Sequence, residues 1–150
     1  MSSSATAGVA TLQRISAKAL SDKMLAEREA ADPSFAVVDV RDDDYIGGHI
    51  KGSTNVPSQQ LDAMLPTLVR KLKDKQAVVF HCALSQQRGP SAALRYLRER
   101  GDVLAALGID AAPPQVVYVL HRGFSGWQKA YGEDERLTEA YRKELWQDDW

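Results

Sequence analysis

The chain of 150 residues carries 19 Lys and Arg against 20 Asp and Glu, a net charge of -1, with 44% hydrophobic residues and one cysteine. That length supports a single domain with one core, and the near balance of charge gives no general electrostatic reason to expect nucleic acid or an acidic membrane as partner. One cysteine excludes an intramolecular disulfide and points to a reducing compartment, the cytoplasm with the nucleus also compatible, while no apolar run approaches the roughly 20 residues of a membrane helix.

Met1 to Ala10 is small and polar without the apolar core of a secretory signal, so a disordered tail is expected there, followed by one domain over 11–150. Leu12 to Ile15 reads as a short edge strand. Ser16 then offers an N-cap, and Ala17, Leu20, Met24, Leu25 and Ala26 form a helical stripe reaching toward Ala31, where Asp32-Pro33 stops it. The apolar run Phe35 to Val40 suits a central strand of a parallel sheet, and Asp39 and Arg41 are expected to hold its end by bonding to backbone and to each other. Asp42-Asp43-Asp44-Tyr45-Ile46 reads as a solvated helical turn with acidic residues at its start, broken by Gly47-Gly48. Neither these carboxylates, which point in different directions on a helix, nor His49, which lacks a second ligand at suitable spacing, suggests a metal site.

Gly52 to Pro57 includes a short strand, and Ser58 offers a cap for a helix through Leu61, Met64, Leu65, Leu68, Val69 and Leu72 that Pro66 should break or kink. Gln76 to His81 is a strand. A helix follows Pro90 to Arg100, Gly101 ends or interrupts it, Val103 to Leu107 is a further turn, and Ala111 to Pro114 is a loop. Gln115 to Leu120 supplies another strand, and Arg122 and Phe124 leave it at the sheet edge where ligand sites of open α/β sheets lie, which makes both candidate substrate contacts. Arg122 is equally well read as the partner of an acidic neighbour, and Trp127 as core. Over 133–150, Leu137, Tyr141, Leu145 and Trp146 fall along one side of a helical tail that packs on the domain or docks another protein. Strands alternating with helices imply a central parallel sheet flanked by helices.

The chemistry concentrates between the strand ending at His81 and the helix opened by Gly89-Pro90, in the loop Cys82-Ala83-Leu84-Ser85-Gln86-Gln87-Arg88. If the loop curls so that the N–H groups of Ala83 to Arg88 point inward, they form a nest, and the N-terminus of the next helix adds partial positive charge at the same point. Such a hollow binds a tetrahedral oxyanion above Cys82, and its positive surroundings favour thiolate over thiol. Arg88 can then present its planar fork to two oxygens of the anion.

The run His81-Cys82-x5-Arg88-Gly89-Pro90 resembles the active-site loop of the rhodanese-fold dual-specificity phosphatases of the M-phase inducer type and of the small eukaryotic arsenate reductases related to them. Val37-Val38-Asp39-Val40-Arg41, Gly47-Gly48-His49-Ile50-Lys51-Gly52-Ser53-Thr54-Asn55-Val56-Pro57 and Gly123-Phe124-Ser125-Gly126-Trp127 are similar to rhodanese-fold signatures, so the resemblance spans about Leu12 to Tyr131. It implies a rhodanese-like three-layer α/β domain in which Cys82 is the nucleophile and the 83–88 loop the oxyanion cradle. It also implies a structural turn at His49, and an arsenate reductase or tyrosine-type phosphatase working through a covalent cysteine intermediate. No bound cofactor is implied. As Cys82 is the only cysteine, arsenate reduction needs an external thiol, for which the resemblance implies glutathione with glutaredoxin; a phosphoprotein is the alternative substrate.

Two other classes compete: a sulfurtransferase carrying sulfur on Cys82, and a rhodanese module that only binds partners. Sulfurtransferases of this fold have a loop one residue shorter, and a pure binding module needs neither thiol nor guanidinium. The mitotic phosphatases carry acidic residues where this chain has Ala83 and Gln87, so no loop carboxylate serves here as general acid.

Overall fold

The computed structural model of the chain describes residues 12–109 and 114–146; the tail expected over 1–10 and most of the loop at 111–114 lie outside them. The order of elements is β1 (Gln13–Ile15), α1 (Ala17–Ala26), β2 (Phe35–Asp39), β3 (His49–Ile50), β4 (Thr54–Asn55), α2 (Leu61–Leu72), β5 (Ala77–His81), α3 (Arg88–Ala106), β6 (Val116–Leu120), α4 (Gly123–Tyr131) and β7 (Thr138–Glu139). Five parallel strands form the main sheet in the order β1-β6-β5-β2-β4, and β3 pairs antiparallel with β7 in a second, two-stranded sheet.

β5 lies at the centre and all five of its residues are buried, which is why Ala77 to Phe80 reads as an uninterrupted apolar run. Successive side chains alternate between two cores. Val38, Val78, Phe80, Val117 and Val119 pack with α2 and α3 on one face, whereas Val37, Val79 and Leu120 pack with α1 and α4 on the other, against Phe124 and Trp127. The result is the expected three-layer arrangement. Because the main-sheet strands are parallel, the loops after β2, β5 and β6 emerge along one edge, where ligand sites of such sheets form.

Several local expectations hold. Ser16 caps α1 by accepting from the Ala19 N–H at 3.0 Å, β1 is an edge strand, and Trp127 is fully buried. Others are corrected. α1 ends at Ala26 rather than near Ala31, because the Glu27 carboxylate accepts from Ser34 N at 2.7 Å and Ser34 Oγ at 2.6 Å and turns the chain early into β2. Pro66 does not break α2: it sits on the exposed face, while Leu61, Leu65, Leu68, Val69 and Leu72 are buried along the other. Gly101 likewise leaves α3 continuous to Ala106, since its cost of about 1 kcal/mol is offset by burial of Tyr96 and Leu104 on either side of it.

The tail is not α-helical over its described part. Leu137 enters the core beside Ile50, β7 pairs with β3, and only a single 3-10 turn forms at Lys143–Leu145. The apolar spacing that reads as a helix serves this return strand and its anchor instead. Trp146 packs on Phe124 with ring centroids 5.5 Å apart and donates its indole N–H to Gly47 O at 3.0 Å. His49 belongs to the β3–β7 pairing, where its Nε2 lies 3.2 Å from Glu139.

Candidate active site

Cys82 follows the last residue of β5 and is 3% exposed. Two backbone N–H groups reach its sulfur, from Ser85 at 3.2 Å and from Gly89 in the first turn of α3 at 3.3 Å. Donors at that position stabilise negative charge on sulfur, and the positive end of the 19-residue helix α3 adds to them. Ser85 adopts φ 55°, the left-handed conformation that closes the loop on itself.

Three carbonyls of the loop are held from outside. Phe124 N donates to Cys82 O at 3.0 Å, Ser125 N to Ala83 O at 2.9 Å, and the Arg14 guanidinium at the sheet edge to Ser85 O at 3.2 Å. In a trans peptide the carbonyl and the following N–H point in opposite directions. Fixing those carbonyls outward therefore turns the N–H groups of Ala83, Leu84 and Gln86 to the opposite, inner side of the loop. Gly123 makes this docking of α4 possible: at φ +56° a side chain is strained, and a Cβ would stand 2.5 Å from Cys82 O.

The inner side is an open hollow of about 240 Å³ lined by Cys82, Ala83, Leu84, Gln86, Gln87 and Arg88. Ser85, a member of the expected oxyanion-binding loop, has its side chain buried beneath the hollow, with its Oγ accepting from Cys82 N at 3.4 Å. Phe124 does not line the hollow. Its ring is fully buried between His81 and Trp146 with the Arg41 guanidinium 4.4 Å from its centre, so a substrate contact by this side chain is corrected to a structural role. Arg122 is exposed in a left-handed N-cap at φ 68°, outside the lining, and no carboxylate pairs with it among the described residues.

Arg88 is partly buried at the rim, and its fork is already engaged. NH1 and NH2 donate to the two oxygens of Asp44 at 2.8 and 2.6 Å, and NH1 also reaches Asp42 at 3.3 Å. The solvated acidic turn is thus corrected: Asp43 is exposed, but Asp42 and Asp44 face the loop. Hydrogen bonding from Arg88 holds the Asp44 carboxyl down to about 2. Partial burial works against the charge on Asp42, yet bonds from Ser58, Gln59 and Arg88 outweigh it and keep that group below the ordinary range as well. Ser58 is spent on Asp42, at 2.6 Å, rather than on capping a helix. Both acids are carboxylates at neutral pH and neither is a proton donor there. The described residues contain no group of three or more His, Cys, Asp or Glu placed to hold a metal ion.

Asp39 and Arg41 form a fully buried pair beneath the site, with NH2 to Oδ2 at 2.7 Å. His81 lies beside them. Its Nδ1 is 3.1 Å from Cys82 O, which can only accept, so Nδ1 carries the hydrogen; Nε2 has no partner and stands 3.7 Å from Asp39. Burial pushes the His81 pKa down, with Asp39 opposing only in part. The unfolded chain, with a histidine pKa near ~6.5, then binds a proton that the folded ring refuses. Stability is complete above that pH and falls as pH drops below it toward the folded value. Urea midpoints measured between pH 7.5 and 5 should decline, and His81→Asn should flatten the upper part of that decline; identical profiles would mean that His81 takes up its proton in the folded state.

The sequence assigns no role to Arg14 and reads Asp42 and Asp44 only as part of a solvated turn. The two acids reach the loop because β2 pairs with β5 and the loops after these strands lie side by side. Arg14 reaches it from β1, across β6. Arg14→Met is expected to lower kcat/KM for an aryl phosphate about tenfold through kcat, with little change in Tm, because the Ser85–Gln86 peptide loses its outer anchor. Unchanged kcat/KM would show that the loop keeps its shape without it.

Fold and loop together define a class, three-layer α/β proteins that present one thiol at the carboxyl edge of a parallel sheet. Within it the chain belongs to the rhodanese-like domain family, whose model matches residues 18–130. It is 43% identical over 124 residues to the Saccharomyces cerevisiae CDC25-like phosphatase YCH1, covering 75% of this chain and 78% of that one. It is 45% identical over 98 residues to arsenate reductase 2.2 of Oryza sativa subsp. japonica, covering 65% and 72%. The crystal structure of Saccharomyces cerevisiae Ygr203w, described as a homolog of single-domain rhodanese and of the Cdc25 phosphatase catalytic domain, aligns with a TM-score of 0.77 at 31% identity over 99% of both chains. No helix among the described residues is long and apolar enough to cross a membrane.

Proposed function

We propose that the protein is a Cys-x5-Arg enzyme that reduces arsenate with glutathione and glutaredoxin and hydrolyses phosphate monoesters weakly. One observation carries the reading: the Cys82 sulfur lies beneath an amide-lined hollow with an arginine at its rim, and the acids that reach that rim among the described residues, Asp42 and Asp44, are held as carboxylates and do not protonate a leaving group. The similarity to both a CDC25-like phosphatase and an arsenate reductase supports it.

In the reductase the Cys82 thiolate attacks arsenic, an arsenic–oxygen bond breaks, and the departing hydroxide takes a proton from solvent. A glutathione thiolate then attacks the Cys82 sulfur. The new S–S bond forms as the S–As bond breaks, its electron pair leaves with arsenic as arsenite, and each sulfur is oxidised by one electron. Glutaredoxin and further glutathione reduce the mixed disulfide and restore the thiol. Ester hydrolysis begins with the same attack on phosphorus, but an alkoxide must leave, and missing general-acid assistance costs about 10²- to 10⁴-fold. Aryl phosphates lose least.

The test is a side-by-side assay. Arsenate-dependent NADPH oxidation, coupled through glutathione, glutaredoxin and glutathione reductase, is expected with slow p-nitrophenyl phosphate hydrolysis. No arsenate-dependent rate above the enzyme-free control, with robust turnover of phosphotyrosine peptides, would replace the reductase by a protein phosphatase. Thiocyanate formation from thiosulfate and cyanide, with neither of those activities, would make the protein a sulfurtransferase.

A further inference from the structure

The Arg88 guanidinium lines the hollow over Cys82, yet its bidentate face points at a carboxylate of the same chain. Two parallel N–H···O bonds to a planar anion are the geometry by which arginine also grips a phosphate-like oxyanion. Asp44 thus stands where two oxygens of a substrate would compete for the same donors. Its position is prepared: Asp42 N donates to Asp44 Oδ1 at 2.9 Å, and Asp42 is itself tied to Ser58 Oγ at 2.6 Å and Gln59 N at 3.2 Å. The acidic turn after β2 is held against the rim by the segment that follows β4, independently of Arg88.

We propose that Asp44 is a specificity-determining residue of the oxyanion site, an internal anion that occupies the Arg88 fork until a doubly charged tetrahedral oxyanion displaces it. The inference rests on the oxyanion-enzyme reading above. A singly charged carboxylate or monoanion offers Arg88 nothing that Asp44 does not already supply. A dianion does, because its remaining oxygens also meet the inward N–H groups of the loop and the N-terminus of α3. Exchange therefore favours dianions, and the apparent affinity for any anion is lowered by the fraction of molecules in which the fork is closed. Hydrogen bonding from Arg88 holds the Asp44 carboxyl down to about 2, so the ion pair is formed at neutral pH.

The experiment is isothermal titration of the purified full chain with inorganic phosphate and with vanadate, needing no turnover. Asp44→Asn is expected to bind both roughly threefold to tenfold more tightly than the unaltered protein. Asp44→Glu, which keeps the charge, should return most of that difference. Asp43→Asn is the control for net charge, since it removes an exposed carboxylate one residue away that does not touch Arg88, and it should leave affinity nearly unchanged. In an Arg88→Met background the gain from Asp44→Asn should vanish. Asp44→Ser repeats the test should the asparagine variant fail to fold. Weaker binding after Asp44→Asn would overturn the proposal and make Asp44 a residue that aims Arg88 at substrate. An equal gain from Asp43→Asn would reduce it to long-range repulsion and overturn it too. Absence of phosphate and vanadate binding in every variant would overturn the oxyanion reading itself, and this inference with it.

Discussion

Cys82→Ser is expected to reduce turnover of arsenate and of p-nitrophenyl phosphate by about four orders of magnitude or more. A serine hydroxyl becomes a useful nucleophile only beside a general base, and the described residues place none against Cys82 Sγ, whose partners are backbone N–H groups. The nearest imidazole, His81, is fully buried, with Nδ1 committed to Cys82 O and Nε2 turned toward Asp39. Binding should survive. The N–H groups of Ser85 and Gly89 that point at sulfur can donate to an oxygen instead, and the outward carbonyls stay anchored by Arg14, Phe124 and Ser125. Calorimetry with phosphate should give a dissociation constant within about threefold of the unaltered protein, while single-turnover quenching detects no covalent phosphoenzyme. Retention of more than about a tenth of the activity would remove Cys82 from the mechanism, since no other group in the hollow can replace a thiolate.

The loop was legible because its information is local. A strand of five residues, one cysteine, five intervening residues, an arginine and a Gly-Pro pair place thiol and helix N-terminus together regardless of the rest of the chain. The buried pair Asp39–Arg41 was legible for the same reason, being two residues apart at one strand end. What Arg88 actually holds was not. That contact joins residues 44 positions apart and depends on β2 lying next to β5, which no period in the sequence states. The tail failed differently: Leu137, Tyr141 and Leu145 keep a helical spacing, but β3 had an unpaired edge and Ile50 needed a cover, so long-range pairing overrode the local pattern. Pro66 and Gly101 show the same priority of tertiary burial over local propensity, here working to preserve helices.

Arg41→Met should be the most destabilising single change near the site, costing about 3 to 5 kcal/mol. Arg41 is fully buried and every nitrogen of its guanidinium finds an acceptor: Nε reaches both Asp39 oxygens at 3.1 Å, NH2 reaches Asp39 at 2.7 Å and Gly48 O at 2.8 Å, and NH1 reaches Ile46 O at 3.3 Å. Its plane also lies against Phe124 and Tyr45, with its carbon 4.4 and 5.1 Å from the ring centres. Methionine fills part of that space without strain. It leaves the Asp39 carboxylate buried without its cation, and it leaves the two carbonyls of the turn without donors. Uncompensated buried charge, rather than the lost attraction, sets the size of the effect. Against a typical total of 5 to 15 kcal/mol, the variant should be marginal at 37 °C and its urea midpoint much reduced. Adding Asp39→Asn removes the stranded charge, so the double variant should recover part of the loss, with a coupling of more than about 1 kcal/mol between the two sites. A loss below about 1 kcal/mol for Arg41→Met, or strict additivity with Asp39→Asn, would show that water reaches the pair and that the strand end is held by packing of Phe124 and Trp146 alone.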